Sequence, residues 1–377
     1  MTDLPSYERW GDLTGKRVLV RVDFNTPVAE IDGELHVTDD FRIRSTIPLF
    51  EDLLARGATV VACTHFGRPK GHVVAKYSVA PVRARLAELC AEVELMENLR
   101  FNPGEESDDP AFGASLVEGF DYYINEAFSA SHRAHASIMI PPTLLPSAAG
   151  PNLQREVTTI QSLLTSPERP FVAIVGGAKV ADKLGIVRVL ADKAQTVLVG
   201  GGMAYTFEVT QGRTIGSSLF DGLHLDECAA LLKEGHVLIP DDSRGLKDGQ
   251  PFGNGGGDDE VIDFGANVPD GFVGLDIGPQ AVATFCAAIG EAKTILWNGP
   301  MGVFEVPECA VGTFAIAKAI AANSGAVSII GGGDSVSAIK KAGVSDKVSF
   351  ISTGGGASLE FLEGRELPGV ASIPEKK

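Results

Sequence analysis

Residues 171–194 read FVAIVGGAKVADKLGIVRVLADKA. An unbroken apolar run (171–175) meets a glycine pair, and from Ala181 onward the apolar positions recur at helical spacing. A continuous Val/Ile run is the mark of a strand buried on both faces, as in a parallel sheet. The stretch therefore reads as strand, glycine turn and helix, the repeating unit of an α/β fold. Other segments read the same way. VLVRV (18–22) runs into Asp23-Phe24-Asn25, TVVACT (59–64) into His65-Phe66-Gly67-Arg68, and SII (328–330) into Gly331-Gly332-Gly333-Asp334. Helical spacing returns in PVRARLAELCAEV (81–93) and GTFAIAKAIAAN (312–323). Ligands of open α/β sheets bind beyond the carboxyl ends of the strands, so these turns mark a binding face.

A chain of 377 residues exceeds the usual single domain, and two domains are expected. PPTLLPSAAGP (141–151) and TSPERP (165–170) flank a helical pattern from Leu153 to Leu164. This predicts a first domain over 1–152, a connecting helix and hinge over 153–169, and a second domain over 170–366. The tail 367–377 has too few apolar residues to stand alone. RGLKDGQPFGNGGGDDE (244–260) reads as a surface loop.

Acidic side chains outnumber basic ones 49 to 32, for a net charge of −17. That balance argues against non-specific nucleic-acid binding, and any basic cluster must form against an unfavourable global field. The five cysteines show no CxxC spacing, which speaks against a disulfide framework or a cysteine metal site and fits a reducing compartment. No stretch reaches the ~20 apolar residues needed to span a bilayer, and MTDLPSYERW lacks a signal-peptide core. A soluble cytoplasmic protein without membrane or nucleic-acid partners is expected.

The chemistry of the turns differs between the halves. In the first, Arg21, Arg42, Arg68, Arg100 and Arg133 lie in or beside turns with His65, His132 and His135. Arginine suits phosphate and carboxylate because its planar fork donates parallel hydrogen bonds. Asp23 and Asn25 either accept from a substrate hydroxyl or hold the arginines in place. The ligand implied is small, polyanionic and hydroxylated. In the second half, Gly176-Gly177 at a helix N-terminus offers N–H groups and a positive dipole end to phosphate. Lys179 and Lys183 stand four apart, which on a helix puts them on one face. Asp334, beside a second glycine turn, suits Mg²⁺, which takes one or two carboxylates plus phosphate oxygens. The Gly-Pro turns of GLDIGP (274–279) and WNGPMGVFE (297–305) leave room for a flat purine, with Glu305 placed for a ribose hydroxyl. The dinucleotide G-x-G-x-x-G and the Walker A loop are both missing from the sequence, which disfavours a dehydrogenase and a P-loop protein.

Taken in order, RVDFN (21–25), DDFRI (39–43), HFGRP (65–69), ENLRF (97–101), NEAFSASHRAHAS (125–137), GGAKVADK (176–183), GGGMAYTF (200–207), GLDIGP, WNGPMGVFE, GGGDS (331–335) and STGGGASLE (352–360) resemble the phosphoglycerate kinase family over essentially the whole chain. Phe66 stands where leucine is usual, Glu126 where aspartate is common, and Ser129-Ala130-Ser131 replaces a Gly-Thr-Ala stretch. The resemblance implies two similar three-layer α/β/α domains, Rossmann-like and with parallel sheets, joined by a helix and hinge. It implies that the tail returns to the first domain and that the chain works as a monomer. For 3-phosphoglycerate or 1,3-bisphosphoglycerate it implies contacts from Asp23, Phe24, Asn25 and Arg42, from His65, Phe66, Gly67 and Arg68, and from Arg100 and Arg133. For ATP or ADP it implies Gly176, Ala178, Lys179, Lys183, Gly201 and Gly274, then Asn298, Pro300 and Glu305, then Gly332, Gly333, Asp334 and Ser335. Asp334 matches the metal-linked aspartate, with Mg²⁺ as cofactor. Arg42 and Lys179 match groups that stabilise the phosphoryl group in transit.

Overall fold

A computed structural model describes residues 4–249 and 261–374. The chain divides into two units, one of Met1–Gln161 with Gly364–Lys377 and one of Ser162–Glu363, and the division falls within the helix Pro151–Thr165.

The first unit contains β1 (Arg17–Arg21), the hairpin β2 (Val28–Ile31) and β3 (Glu34–Val37), then β4 (Thr59–Cys63), β5 (Glu94–Leu95), β6 (Tyr122–Asn125) and β7 (Ser147–Ala149). Its main sheet is parallel, in the order β5-β4-β1-β6-β7. The strand side chains show why it is layered on both faces. Val18 and Val20 enter one apolar cluster with Phe50, Leu53 and Leu86, whereas Leu19 enters another with Leu99, Leu116 and Tyr123. Alternate residues of a strand point to opposite faces, so helices must cover both sides. The tail adds the short helix Pro368–Ala371, whose Gly369 N–H donates to the Ser131 carbonyl (2.8 Å) and whose Gly369 carbonyl accepts from Asn125 Nδ2 (3.0 Å).

The second unit carries β8 (Phe171–Val175), β9 (Thr196–Val199), β10 (Val237–Leu238), β11 (Ser243–Lys247), β12 (Ile262–Phe264), β13 (Phe272–Ile277), β14 (Thr294–Asn298), β15 (Val327–Gly331) and β16 (Phe350–Ile351). Its parallel sheet runs β10-β9-β8-β14-β15-β16, and β11 to β13 form a separate antiparallel sheet. All five residues of β8 are buried, as the apolar run predicts.

Both parallel sheets grow outward in each direction from their first strand. In each, the order reverses between the first strand and the next strand on its other side, β1/β6 and β8/β14. This is the doubly wound, Rossmann-like order, and its crevice lies at that reversal.

Three local expectations are corrected. The helix expected from Ala181 begins at Leu184, with Lys183 as its non-helical N-cap at φ −124°. The helix expected over 81–93 spans Ala80–Leu89, because the chain turns extended at Cys90 and enters β5. Residues 244–247 of the expected loop belong to the central strand β11, paired on both sides. Residues 250–260 of that loop lie outside the described residues.

Candidate active site

In the first unit the functional side chains gather at the β1/β6 reversal. Arg42 forms an ion pair with Asp23, which follows β1, and Ser129, which follows β6, donates its hydroxyl to the same Asp23 oxygen. Burial alone pushes the Asp23 carboxyl up. The Arg42 guanidinium, with the Ser129 hydroxyl and the Asn25 N–H, outweighs burial and holds it at about 2. Asn25 Oδ1 accepts from the Gly67 N–H (3.0 Å), and the Gly67 carbonyl accepts from Arg100 Nη1 (2.7 Å). Asn98 ties the loops together, accepting from the Phe66 and Arg100 N–H groups and donating to the Phe66 carbonyl. Arg133 lies close enough to Arg100 to depress it further, after burial. Burial also holds His65 well below its usual value, so the ring is neutral.

This geometry sorts the first-half candidates. Asp23, Asn25, Arg42, His65, Gly67, Arg100 and Arg133 are brought into one network. Arg68 is exposed, with no ion pair among the described residues. Phe24 and Phe66 are corrections: their rings are 0% and 4% exposed and belong to the core, Phe24 edge-on to Phe50. Arg21 is a further correction. It is wholly buried, its guanidinium donating to Ser137 Oγ and the Val22 carbonyl, so it cannot touch a ligand.

In the second unit the turns after β8, β9 and β14 are laced together at the β8/β14 reversal. The Gly176 and Gly177 N–H groups donate to the Asn298 and Pro300 carbonyls (3.0 and 3.1 Å), and the Gly201 N–H donates to Met301 (3.0 Å). The lacing requires glycine. A Cβ at Gly176 would collide with the Pro300 carbonyl, and Gly299 sits at φ +103° against the Gly176 backbone. It also corrects an expectation: the Gly176-Gly177 N–H groups are already spent on carbonyls and do not cradle phosphate. Lys179 and Lys183 precede the helix and share no helical face.

The open N–H groups lie instead at the helix Gly333–Lys341, which follows β15 directly and has no side-chain cap. Gly332, at φ +84°, leads into it. The first turn of a helix presents unpaired donors and a positive dipole end. Beside it, Asn298 is 1% exposed, and a Cβ at Gly331 or Gly332 would lie 3.3 Å from its Nδ2. That Nδ2 is a buried donor with no partner among the described residues. Asn298 Oδ1 accepts from Lys183 Nζ. Burial lowers the Lys183 amine, and Asp334 pulls it back up. Ser335, expected at the ligand, is fully buried and accepts the Gly299 N–H (2.5 Å), so it backs the turn.

A cavity of about 370 Å³ opens beside these turns. Ala178, Gly201, Gly274, Pro300, Glu305 and Asp334 line it, as do Leu219, Val273, Leu275 and Val303, which sequence reading missed. Leu275 and Val303 lie inside the quoted motifs GLDIGP and WNGPMGVFE, and Val273 adjoins the first. Leu219 lies in SSLFDG, which carries no motif at all. The apolar walls suit a flat heterocycle, and Glu305 and Asp334 are both exposed at the cavity. A single carboxylate at an uncapped helix start fits Mg²⁺ brought in on phosphate oxygens. Among the described residues no three His, Cys, Asp or Glu side chains cluster to hold a metal on their own.

Two doubly wound units, one with a guanidinium-rich crevice and one with an apolar cavity ending in a helix N-terminus, describe a phosphotransferase. A family model described as phosphoglycerate kinase matches residues 9–96 and 90–365. The phosphoglycerate kinase of Rubrobacter xylanophilus is 46% identical over 394 residues, and that of Acaryochloris marina 44% over 396, each covering 97% of both chains. The solved phosphoglycerate kinase of Coxiella burnetii superposes with a TM-score of 0.88 at 33% identity over 98% of each chain. That of Pyrococcus horikoshii OT3 gives 0.81 at 28%, again over 98% of each. The chain belongs to the phosphoglycerate kinase family. No described helix is long and apolar enough to cross a membrane.

Proposed function

We propose that the first unit binds 3-phosphoglycerate or 1,3-bisphosphoglycerate and the second binds MgATP or MgADP, with reversible in-line phosphoryl transfer between them. The observation that carries this reading is the uncapped helix start at Gly333, next to the orphaned Asn298 Nδ2 and Lys183. These donors suit a polyphosphate, and the adjoining apolar cavity suits its base. Arg42, Arg100, Arg133 and neutral His65 supply donors for the acid and its phosphate, and Asp23 and Asn25 orient them.

Phosphoryl transfer demands positioning and neutralisation of the equatorial oxygens rather than covalent help. Arg42 and Lys179 are the groups proposed to meet the phosphoryl group in transit. Asp334 would hold Mg²⁺, which when bound offsets phosphate charge. An acyl phosphate carries a good leaving group, so the ATP-forming direction needs no general base. The two ligands must meet for transfer, so the units are proposed to close when both are bound. The buried thiols Cys63, Cys90, Cys228 and Cys309 support a reducing, cytoplasmic setting. Both pockets belong to one chain, which supports a monomer.

Calorimetric titration of two variants tests the assignment. Arg100→Ala is expected to lose 3-phosphoglycerate binding and keep MgADP, and Asp334→Ala the reverse. Loss of both ligands in either variant, with the fold intact, would refute the division of labour.

A further inference from the structure

We propose that Glu105 is a positioning residue for the acid pocket, acting through Ser137 and Arg21 to fix the tautomer and orientation of His65. The proposal rests on reading that pocket as the acid-substrate site. Glu105, Ser137 and Arg21 are each 0% exposed. None of them can touch a ligand, so any effect on binding must pass through a neighbour.

The hydrogen bonds form a chain with a forced direction. Glu105 Oε2 accepts the Ser137 N–H (3.0 Å) and Glu105 Oε1 accepts the Ser137 hydroxyl (2.7 Å). Ser137 Oγ accepts from Arg21 Nε (2.8 Å). Arg21 Nη2 lies 3.2 Å from His65 Nδ1 and 3.9 Å from Glu105 Oε1. A guanidinium has donors and no acceptor. Ser137 Oγ must therefore accept from Arg21 and turn its own proton to Glu105. His65 Nδ1 must likewise present its lone pair, which places the ring proton on Nε2. His65 is left with a single N–H to offer a carboxylate or phosphate.

Glu105 is what keeps Arg21 in this pose. It is the carboxylate within ion-pair distance of a guanidinium that has no access to water, and removing one partner of a buried pair leaves an uncompensated charge. Its backbone helps as well, since the Glu105 carbonyl accepts the Ala136 N–H (3.0 Å) next to Ser137. Sequence reading passes over Glu105 because it sits in an acidic stretch, GEESDD (104–109), that looks like solvated surface.

The test uses full-length protein labelled with ¹⁵N-histidine, as wild type, Glu105→Gln and Ser137→Ala, with and without 3-phosphoglycerate. Wild-type His65 is expected to be a neutral Nε2–H tautomer whose signals move when 3-phosphoglycerate binds. Glu105→Gln is expected to give mixed tautomers at His65 and to raise KM for 3-phosphoglycerate about ten-fold, leaving KM for MgATP within about two-fold. Ser137→Ala keeps the Arg21–Glu105 pair and decides the matter if Glu105→Gln does not fold; the same pattern is expected at about three-fold. A single unchanged tautomer and unchanged KM in a folded variant would overturn the role of Glu105. Wild-type His65 signals that ignore 3-phosphoglycerate would instead overturn the reading of the pocket.

Discussion

Replacing Arg42 with alanine separates chemistry from stability more sharply than any other single change. Arg42 is paired with Asp23, and that pairing is the main influence opposing burial as the Asp23 carboxyl is held at about 2 rather than its ordinary 3.8. A folded-state value below the unfolded one contributes stability that is present above 3.8 and is lost as pH falls toward 2. At neutral pH this net contribution is roughly 2 kcal/mol. Because burial works against Arg42, Arg42→Ala removes more than the net, about 3–5 kcal/mol when Asp23 is left buried without its partner. A domain in the middle or upper part of the usual range of about 5–15 kcal/mol stays folded after that loss. If Arg42 neutralises the transferring phosphoryl group, the barrier rises by about 3–4 kcal/mol, a fall in kcat of roughly two to three orders of magnitude. Unfolding cannot produce such a fall when most molecules remain native. The assay is steady-state turnover beside calorimetric MgATP binding and urea unfolding on the same preparation. An unchanged kcat would refute the role given to Arg42, and a loss that tracks the unfolded fraction would reduce it to a structural ion pair.

Other consequences are open to measurement. Asp334→Ala should raise KM for the Mg-nucleotide and leave that for 3-phosphoglycerate unchanged; the opposite split in steady-state kinetics removes it from the metal site. Burial pushes the Glu208 carboxyl from 4.5 up to about 7 against the pull of Arg213. A raised folded-state value gives stability that is complete below 4.5 and declines as pH rises through about 7, by about 3 kcal/mol. Glu208→Gln should flatten that decline in urea unfolding between pH 5 and 8, and an unaltered slope counts against it. Gly176→Ala drives a Cβ into the Pro300 carbonyl and should lower Tm by roughly 5–10 °C; a neutral calorimetric scan would mean the turns are not locked together.

The sequence made the frame of the fold visible because buried parallel strands write themselves as apolar runs. FVAIV matches β8 residue for residue. β11, SRGLK, was hidden because it has one large apolar residue and owes its existence to pairing on both edges. Gly245 in it is needed because the Val273 backbone passes where a Cβ would stand. Charged candidates such as Arg42, Arg100 and Asp334 could be picked out from type and motif. Their surroundings could not: Arg21 and Arg100 look alike on the page and both are buried, but Arg21 is held by Ser137 and the Val22 carbonyl whereas Arg100 reaches the Gly67 loop and Glu106. The Gly176-Gly177 pair misled for a related reason: its glycines serve close backbone packing, and the helix start without a side-chain cap lies at Gly333. Leu219 reaches the cavity from a segment without any motif, a placement that only the folded chain reveals.

Coupled turnover with 3-phosphoglycerate and MgATP, reporting the acyl phosphate formed, tests the central claim most directly. Formation of ADP and acyl phosphate in equal amounts, dependent on both substrates, is the predicted result. ATP consumption that proceeds at the same rate without the acid, or no turnover with either substrate pair, would contradict it.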